Sequence, residues 1–326
     1  MSQSSHLKNI AIIGAGGHLG SYFVSSLLKT GLHTVTALTR EDSTSTSTLP
    51  PGVLVKTVDY ASDESIVAAL QGQQFLVITL NALVAQDLHT RIVLAAQKAG
   101  VSYIMPNAYG WDVMNPSCHD EMWSKMTYEK MVDVQKSGMP YVMMVCSFWY
   151  EWSLAAGPNA FGIDVPRRTV TFVDNGTKKF NTSTWALCGD ALAALLSLPE
   201  SGASPSVSDW KNTSFPIASF EISQRDMLDS LNRVLGTTDA DWKIEYEASE
   251  KRVKDGLEEL KRGLRSGFAK AMYSRGFYPN VPVYETVNGV LGLKEEKLDE
   301  ATKRTVEMLD AGFDPMGLYK IKTTDA

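Results

Sequence analysis

The chain has 326 residues, 44% of them hydrophobic and 21% charged, a globular composition that excludes collagen-like, low-complexity and wholly disordered classes. Its 31 Lys and Arg against 37 Asp and Glu leave a formal charge of −6, so it offers no electrostatic footprint to nucleic acid or an anionic membrane. The 3 cysteines, Cys118, Cys146 and Cys188, show no C-x-x-C pairing, which argues against a zinc finger or a disulfide scaffold and fits a reducing compartment.

Met1 to Lys8 is polar and the apolar run behind it is short, so neither a secretory signal nor a membrane span is expected and the cytosol is the default. From Asn9 onward short apolar, β-branched runs alternate with segments of helical period, the signature of βαβ units around a parallel sheet. Strands are expected at Ile10–Ile13, Thr34–Leu38, Val53–Val58, Phe75–Leu80, Tyr103–Met105 and Tyr141–Val145. Helices are expected at Leu19–Lys29, Asp63–Leu70, Gln86–Ala99 and His119–Ser137, with Ser43–Thr48 a solvated loop. Each strand is nearly all apolar rather than alternating, as where helices cover both faces.

Beyond Val145 the texture changes. Ser147–Leu154, "SFWYEWSL", is rich in aromatics. A hairpin at Val170–Val173 is expected to turn at Asp174-Asn175-Gly176. An apolar helix is read at Cys188–Leu198, and a strand at Phe215–Ile222 hands over to a helix at Ser223, with Gln224 and Asp226 in its first turn. Glu247–Tyr273 reads as one amphipathic helix, with Val253, Leu257, Leu260, Leu264 and Phe268 on its apolar side. A last helix covers Lys294–Ala311. The fold class is therefore α/β: a Rossmann doubly wound parallel sheet in residues 1–150, with segments near 180–225 returning to it, and a smaller α+β C-terminal substrate-binding part made mainly from 151–326.

The strongest chemical signal is "IAIIGAGGHLGSYFVSSLL". Gly14, Gly16, Gly17 and Gly20 follow a buried strand and open a helix, the context a dinucleotide fingerprint requires. The chain must turn sharply there and bring backbone N–H groups to a pyrophosphate at the positive end of the helix dipole. A side chain at Gly14 or Gly17 is expected to occupy the pyrophosphate's volume. About 20 residues past the glycines, where NAD sites place a carboxylate, stands Arg40, suited to a 2′-phosphate. The cofactor reading is NADP(H).

With "VTALTR", "VDYASDESIVAALQG", "YIMPNAYGWD" and "SGMPYVMM", the glycine segment resembles the NmrA-like and isoflavone-reductase-like branch of atypical short-chain dehydrogenases. "RDMLDSLNRVLGTTDADW" and "LDEATKRTVEMLDAGF" resemble its fungal members. The resemblance implies that Gly14, Gly17 and Gly20 form the pyrophosphate loop, with His18 and Leu19 at its variable tip. It places Thr39 and Arg40 at the 2′-phosphate, Asn81 and Ala82 beside the adenosine ribose, and Pro106 and Asn107 on the approach to the nicotinamide. It also implies a catalytic lysine on the helix before the sixth strand, and at that position this chain has Thr127.

Helical geometry offers substitutes. Lys130 lies on the face of Thr127 and Tyr128 about 100° round the helix, whereas Lys125 points nearly opposite. His119 is a third candidate, since imidazole exchanges protons near neutral pH. Trp111, Phe148, Trp149, Tyr150 and Trp152 are the candidate substrate surface, because ligands of doubly wound sheets bind beyond the carboxyl ends of the strands and aromatic faces hold flat apolar molecules. The reading is an NADPH-dependent reductase of a small aromatic or polyketide-like metabolite, with no metal, no nucleic acid and no membrane, and a homodimer left open. Thr127 keeps two alternatives alive: an NADP(H)-binding sensor without turnover, and an isomerase or cyclising enzyme on the same fold.

Overall fold

The computed structural model describes residues 5–41, 49–81, 84–118, 123–264 and 266–318. The chain opens with β1 (Asn9–Ile13), α1 (His18–Thr30), β2 (Thr34–Thr39), β3 (Leu54–Thr57), α2 (Asp63–Leu70), β4 (Phe75–Ile78), α3 (Gln86–Lys98), β5 (Tyr103–Met105), α4 (Trp123–Ser137) and β6 (Val142–Val145). It continues through β7 (Phe148–Trp149), α5 (Tyr150–Ala155), β8 (Ile163–Asp164), β9 (Thr169–Val173), β10 (Phe180–Ser183), α6 (Trp185–Ser197), β11 (Thr213–Pro216) and β12 (Phe220–Ile222). α7 (Gln224–Leu235), β13 (Lys243–Glu247), α8 (Ser249–Lys261), α9 (Ser266–Gly276) and α10 (Leu298–Asp310) complete it. Two compact units result, one from Met1–Ser147, Trp185–Ile217 and Glu285–Lys294, the other from Phe148–Thr184, Ala218–Tyr284 and Glu295–Ala326.

In the first unit five strands pair in parallel in the order β3-β2-β1-β4-β5. A bridge between Ile104 and Tyr141 leads on to β6, which pairs in parallel with β11. This is the doubly wound α/β sheet that the alternation of patterns requires. β1 and β4 are buried because helices lie on both faces, whereas Leu54 and Val55 on the edge strand β3 are exposed. α1 ends where Gly31 takes the left-handed conformation (φ 68°) and its N–H donates to the Leu28 carbonyl. α6 crosses α1 closely: a Cβ on Gly189 would stand 2.7 Å from the Tyr22 carbonyl oxygen, so only glycine permits the approach.

The second unit holds two three-stranded sheets, β12-β10-β7 and β13-β9-β8. Three expectations are corrected there. The chain does turn at Asp174–Gly176, with the Gly176 N–H donating to the Val173 carbonyl, but β9 and β10 then enter different sheets. The hairpin is instead β8-β9, closed at Arg168, whose φ is 53°. The expected strand Phe215–Ile222 is two strands, β11 in the first unit and β12 in the second, separated at Ile217–Ser219. The single helix expected over Glu247–Tyr273 is α8 and α9 folded against each other. A Cβ on Gly267 would come within 2.3 Å of the Gly256 carbonyl oxygen, and Gly263 (φ 80°) makes the turn. The apolar period runs unbroken through that turn because both helices present apolar residues, which hides the break from a period count. The Ser223 start of α7 is a capping box with Asp226, as the sequence leads one to expect.

Candidate functional site

At the carboxyl end of β1 the chain turns at Gly14 (φ 84°), whose carbonyl accepts the Gly17 N–H at 2.9 Å, and enters α1 at His18. Thr79, just past β4, ties the turn down: its N–H donates to the Ile13 carbonyl at 2.9 Å, and its Oγ1 reaches the Ile13 and Gly14 carbonyls at 2.9 and 3.1 Å. A Cβ on Gly14 would stand 2.3 Å from the Thr79 carbonyl oxygen, and one on Gly20 would stand 2.1 Å from that of Gly14. Glycine at Gly14 is thus imposed by the neighbouring strand end and not, as expected, by a ligand's volume. Gly17 is the exposed one, with only the Gly14 carbonyl oxygen near its Cβ position, at 3.2 Å.

Gly17 caps α1 without a side chain, and no acidic residue stands in the first turn. The positive end of a 13-residue helix therefore faces the loop uncompensated by any carboxylate of its own, which fits a diphosphate. Gly16 is half-buried, Leu19 is buried, and His18 is exposed with its ring stacked on Trp185, centroids 5.3 Å apart. Thr39 is buried at the end of β2, and Arg40 follows it on the surface. The Arg40 charge acts on Tyr60, whose hydroxyl donates to the Leu38 carbonyl at 3.2 Å while burial pushes its own ionisation upward. An exposed guanidinium at the end of the second strand, beside a fixed phenol, fits a ribose 2′-phosphate.

Asn81 follows β4, and its carbonyl accepts the Asn107 Nδ2 at 3.5 Å. Pro106 and Asn107 are buried just beyond β5. The ends of β1, β4 and β5 thus bring Gly14, Thr79, Asn81 and Asn107 together, where a doubly wound sheet holds its ligand. Ala82 and His119 lie outside the described residues.

On α4, Thr127 and Lys130 share a buried face, each 3% exposed, whereas Tyr128 and Lys125 face solvent. Burial pushes the Lys130 ammonium below the ordinary lysine range. Beside it on α3, His89 is fully buried and held neutral, its pKa lowered to about 4 first by burial and then by the Lys130 charge, with Asp133 pulling the other way. Trp111 is buried in the stretch between β5 and α4.

The aromatic run divides. Phe148 stacks on Tyr273 at 4.3 Å and meets Phe161 and Phe180 edge-on, so it is core of the second unit. Tyr150 is fully buried with its hydroxyl bonded to Thr302 Oγ1 at 2.6 Å, which leaves no face for a ligand. These two are corrected from substrate surface to packing. Trp149 and Trp152 are half-buried. Thr79, Tyr60, His89 and Trp185 take their places at these positions only in the folded chain. Thr79 alone had a local signal, a small hydroxyl residue directly past an apolar strand; the others depend on contacts between distant segments.

Among the described residues no group of His, Cys, Asp and Glu could hold a metal ion, and no helix is long and apolar enough to cross a membrane. The NmrA-like family profile matches residues 6–156. Over 303 residues the chain is 28% identical to oxidoreductase aprR of Aspergillus flavus, covering 89% of this chain and 96% of that protein. Residues 6–156 are thus similar to the NmrA-like family, and nearly the whole chain is similar to a fungal oxidoreductase. Solved structures agree on the fold. A crystal structure of isoflavone reductase matches with TM-score 0.75 and 20% identity over 91% of this chain and 99% of that one. The NADPH-dependent quinone oxidoreductase QOR2 of Escherichia coli, complexed with NADPH, matches with TM-score 0.70 and 21% identity over 91% and 99%.

Proposed function

We propose that the protein is an NADPH-dependent reductase of a small, flat apolar metabolite, aromatic or polyketide-like. The oxidoreductase class is that of its relatives, and the observation that carries the cofactor is the uncapped N-terminus of α1 behind the glycine turn, with Arg40 at the end of the next strand. When bound, NADPH supplies the hydride; the chain's own residues orient, polarise and protonate.

Backbone N–H groups of the loop and of the first turn of α1 would hold the diphosphate, and Arg40 would meet the 2′-phosphate. Asn81 and Asn107, joined to each other, would border the ribose and the nicotinamide. Lys130 takes the place of the lysine missing at Thr127. It shares the buried face of that residue, and its depressed pKa suits it to giving up a proton as negative charge develops on the substrate. Tyr128, on the solvent side, is the weaker donor. Trp149 and Trp152, half-buried, are the members of the aromatic run left to meet a flat substrate.

The test is a titration of NADPH and NADP⁺ by intrinsic tryptophan fluorescence, followed by NADPH oxidation against a panel of aromatic enones, ketones and quinones. Saturable binding and turnover with at least one acceptor are expected. Tight binding of both redox forms with no turnover across the panel would replace the reductase by a nucleotide sensor, the reading that Thr127 favours.

A further inference from the structure

A reductase consumes one proton for each hydride it transfers, so a buried acid must be reloaded from solvent after every turnover. Lys130 is 3% exposed. The route by which its ammonium recovers a proton is therefore a structural question, and α3 and α4 hold groups suited to it.

α3 follows β4 and α4 follows β5, so the first turns of both stand toward the carboxyl ends of the sheet, and the two helices pack together. Gln86, His89 and Thr90 share one face of α3; Lys130 and Asp133, three residues apart, share one face of α4. Asp133 Oδ2 accepts hydrogen bonds from Gln86 Nε2 and Thr90 Oγ1, both at 2.5 Å, which pin the carboxylate against α3. The same oxygen stands 3.9 Å from His89 Nδ1. His89 is 0% exposed, and neither of its ring nitrogens has a hydrogen-bond partner. Such a group loses its hydration without replacement and calls for an explanation. The charges that act on it are Lys130 and Asp133, both on α4. The guanidinium of Arg91, on α3, is taken up by Asp63 of α2 at 2.6 Å.

We infer that His89 is a positioning residue for Lys130, carrying protons to its neutral amine from Asp133, which is 17% exposed and marks the solvent end of the path. The inference rests on the reading of Lys130 as proton donor. In the reaction a Lys130 N–H bond breaks as the substrate's new bond to hydrogen forms. The neutral Nζ then takes a proton from Nε2 of His89 while another enters at Nδ1 from an Asp133 carboxyl that water has protonated; the imidazole is neutral throughout, a flip of the ring returns its N–H to the Lys130 side, and the net proton comes from water. Closing the 3.9 Å gap to a hydrogen bond of about 2.9 Å needs a shift of about 1 Å, within the reach of side-chain motion.

Two measurements test this, one of them without turnover. In the cofactor-free protein the His89 ring is followed by heteronuclear NMR, assigned against His89→Gln; with 5 histidines in the chain the spectrum is tractable. Lys130→Met should raise the pH at which His89 titrates and Asp133→Asn should lower it; a titration unmoved by either variant overturns the path. With phenanthrenequinone as hydride acceptor, His89→Gln should lower kcat by about tenfold or more, enlarge the solvent isotope effect and leave the KM for NADPH unchanged. An unchanged kcat, pH profile and isotope effect in folded His89→Gln would also overturn it. If the wild-type protein oxidises no NADPH with any acceptor, the reductase reading fails instead, and the NMR arm still decides whether the three groups are coupled.

Discussion

The glycine loop after β1 and the aromatic run after β6 both leave the carboxyl end of a parallel strand, yet different forces fix their residues. In the loop, backbone meets backbone: Gly14 and Gly20 are held to glycine by carbonyl oxygens 2.3 and 2.1 Å from where a Cβ would be. In the aromatic run, side chains meet side chains, with Phe148 and Tyr150 drawn into the core of the second unit while Trp149 and Trp152 keep part of their surface. A backbone constraint is local and written in a short motif. A packing constraint depends on partners such as Tyr273 and Thr302, far along the chain, and the motif does not name them.

The sharpest way to break this contrast is to place a methyl group in the loop. Gly20→Ala drives a Cβ into a backbone carbonyl that cannot yield cheaply, and the expected loss is more than about 3 kcal/mol, to the point of poor folding. Gly17→Ala, on the exposed side, should cost under about 1 kcal/mol of stability while weakening NADPH. Thermal unfolding of the two variants, with an NADPH titration of the second, checks the division. Equal destabilisation by both would mean that the loop's glycines are one structural set with no face kept for a ligand.

Next in size is the aromatic run. Phe148→Ala empties a site enclosed by Tyr273, Phe161 and Phe180 and should cost about 3–5 kcal/mol by denaturant unfolding. Trp152→Ala, at a half-buried position, should cost less than about 2 kcal/mol and raise the KM for a flat acceptor. Reversal of that order would return Phe148 to the substrate surface and make Trp152 an anchor.

The same distinction explains how much of the molecule could be read in advance. The sheet, its helices and the glycine turn between β1 and α1 are legible because each rests on short-range pattern: apolar runs between amphipathic helices, and glycines at one junction. The failures share the opposite property. The turn at Asp174–Gly176 is real, but which sheet β10 joins is decided by β7 and β12. The break between α8 and α9 is hidden because the Gly256–Gly267 crossing lets both helices keep one apolar period. The position of Arg40 at the end of β2 is legible from its distance to the glycines, whereas Tyr60, Trp185 under His18 and His89 come near Arg40, His18 and Lys130 only on folding.

His89 extends the contrast to pH. Its pKa lies near 4 in the folded protein against about 6.5 when unfolded, so the unfolded chain binds the extra proton between those values. The stability linked to it is fully present above pH 6.5 and is lost as the pH falls toward 4, reaching about 3 kcal/mol below that. His89→Gln should flatten this part of the stability curve. Unfolding by urea at pH 7.5, 6, 5 and 4 measures it, and parallel curves for the two proteins would show that the buried imidazole is not the group that titrates.

The smallest expected effect bears on the cofactor end of the comparison. Arg40 is exposed and lies at the end of β2, so its removal should leave stability within about 0.5 kcal/mol of wild type. Its guanidinium is assigned to the 2′-phosphate, the one group that separates NADPH from NADH. Arg40→Ala should therefore weaken NADPH by about ten- to a hundredfold, roughly 1.4–2.8 kcal/mol, and leave NADH nearly unchanged. Arg40→Lys should recover only part of the loss, because an ammonium cannot reproduce the paired bonds of a planar fork. Equal losses for both nucleotides would move the 2′-phosphate away from the end of β2, while leaving the proposed place of the diphosphate at the first turn of α1, whose uncapped end does not depend on Arg40.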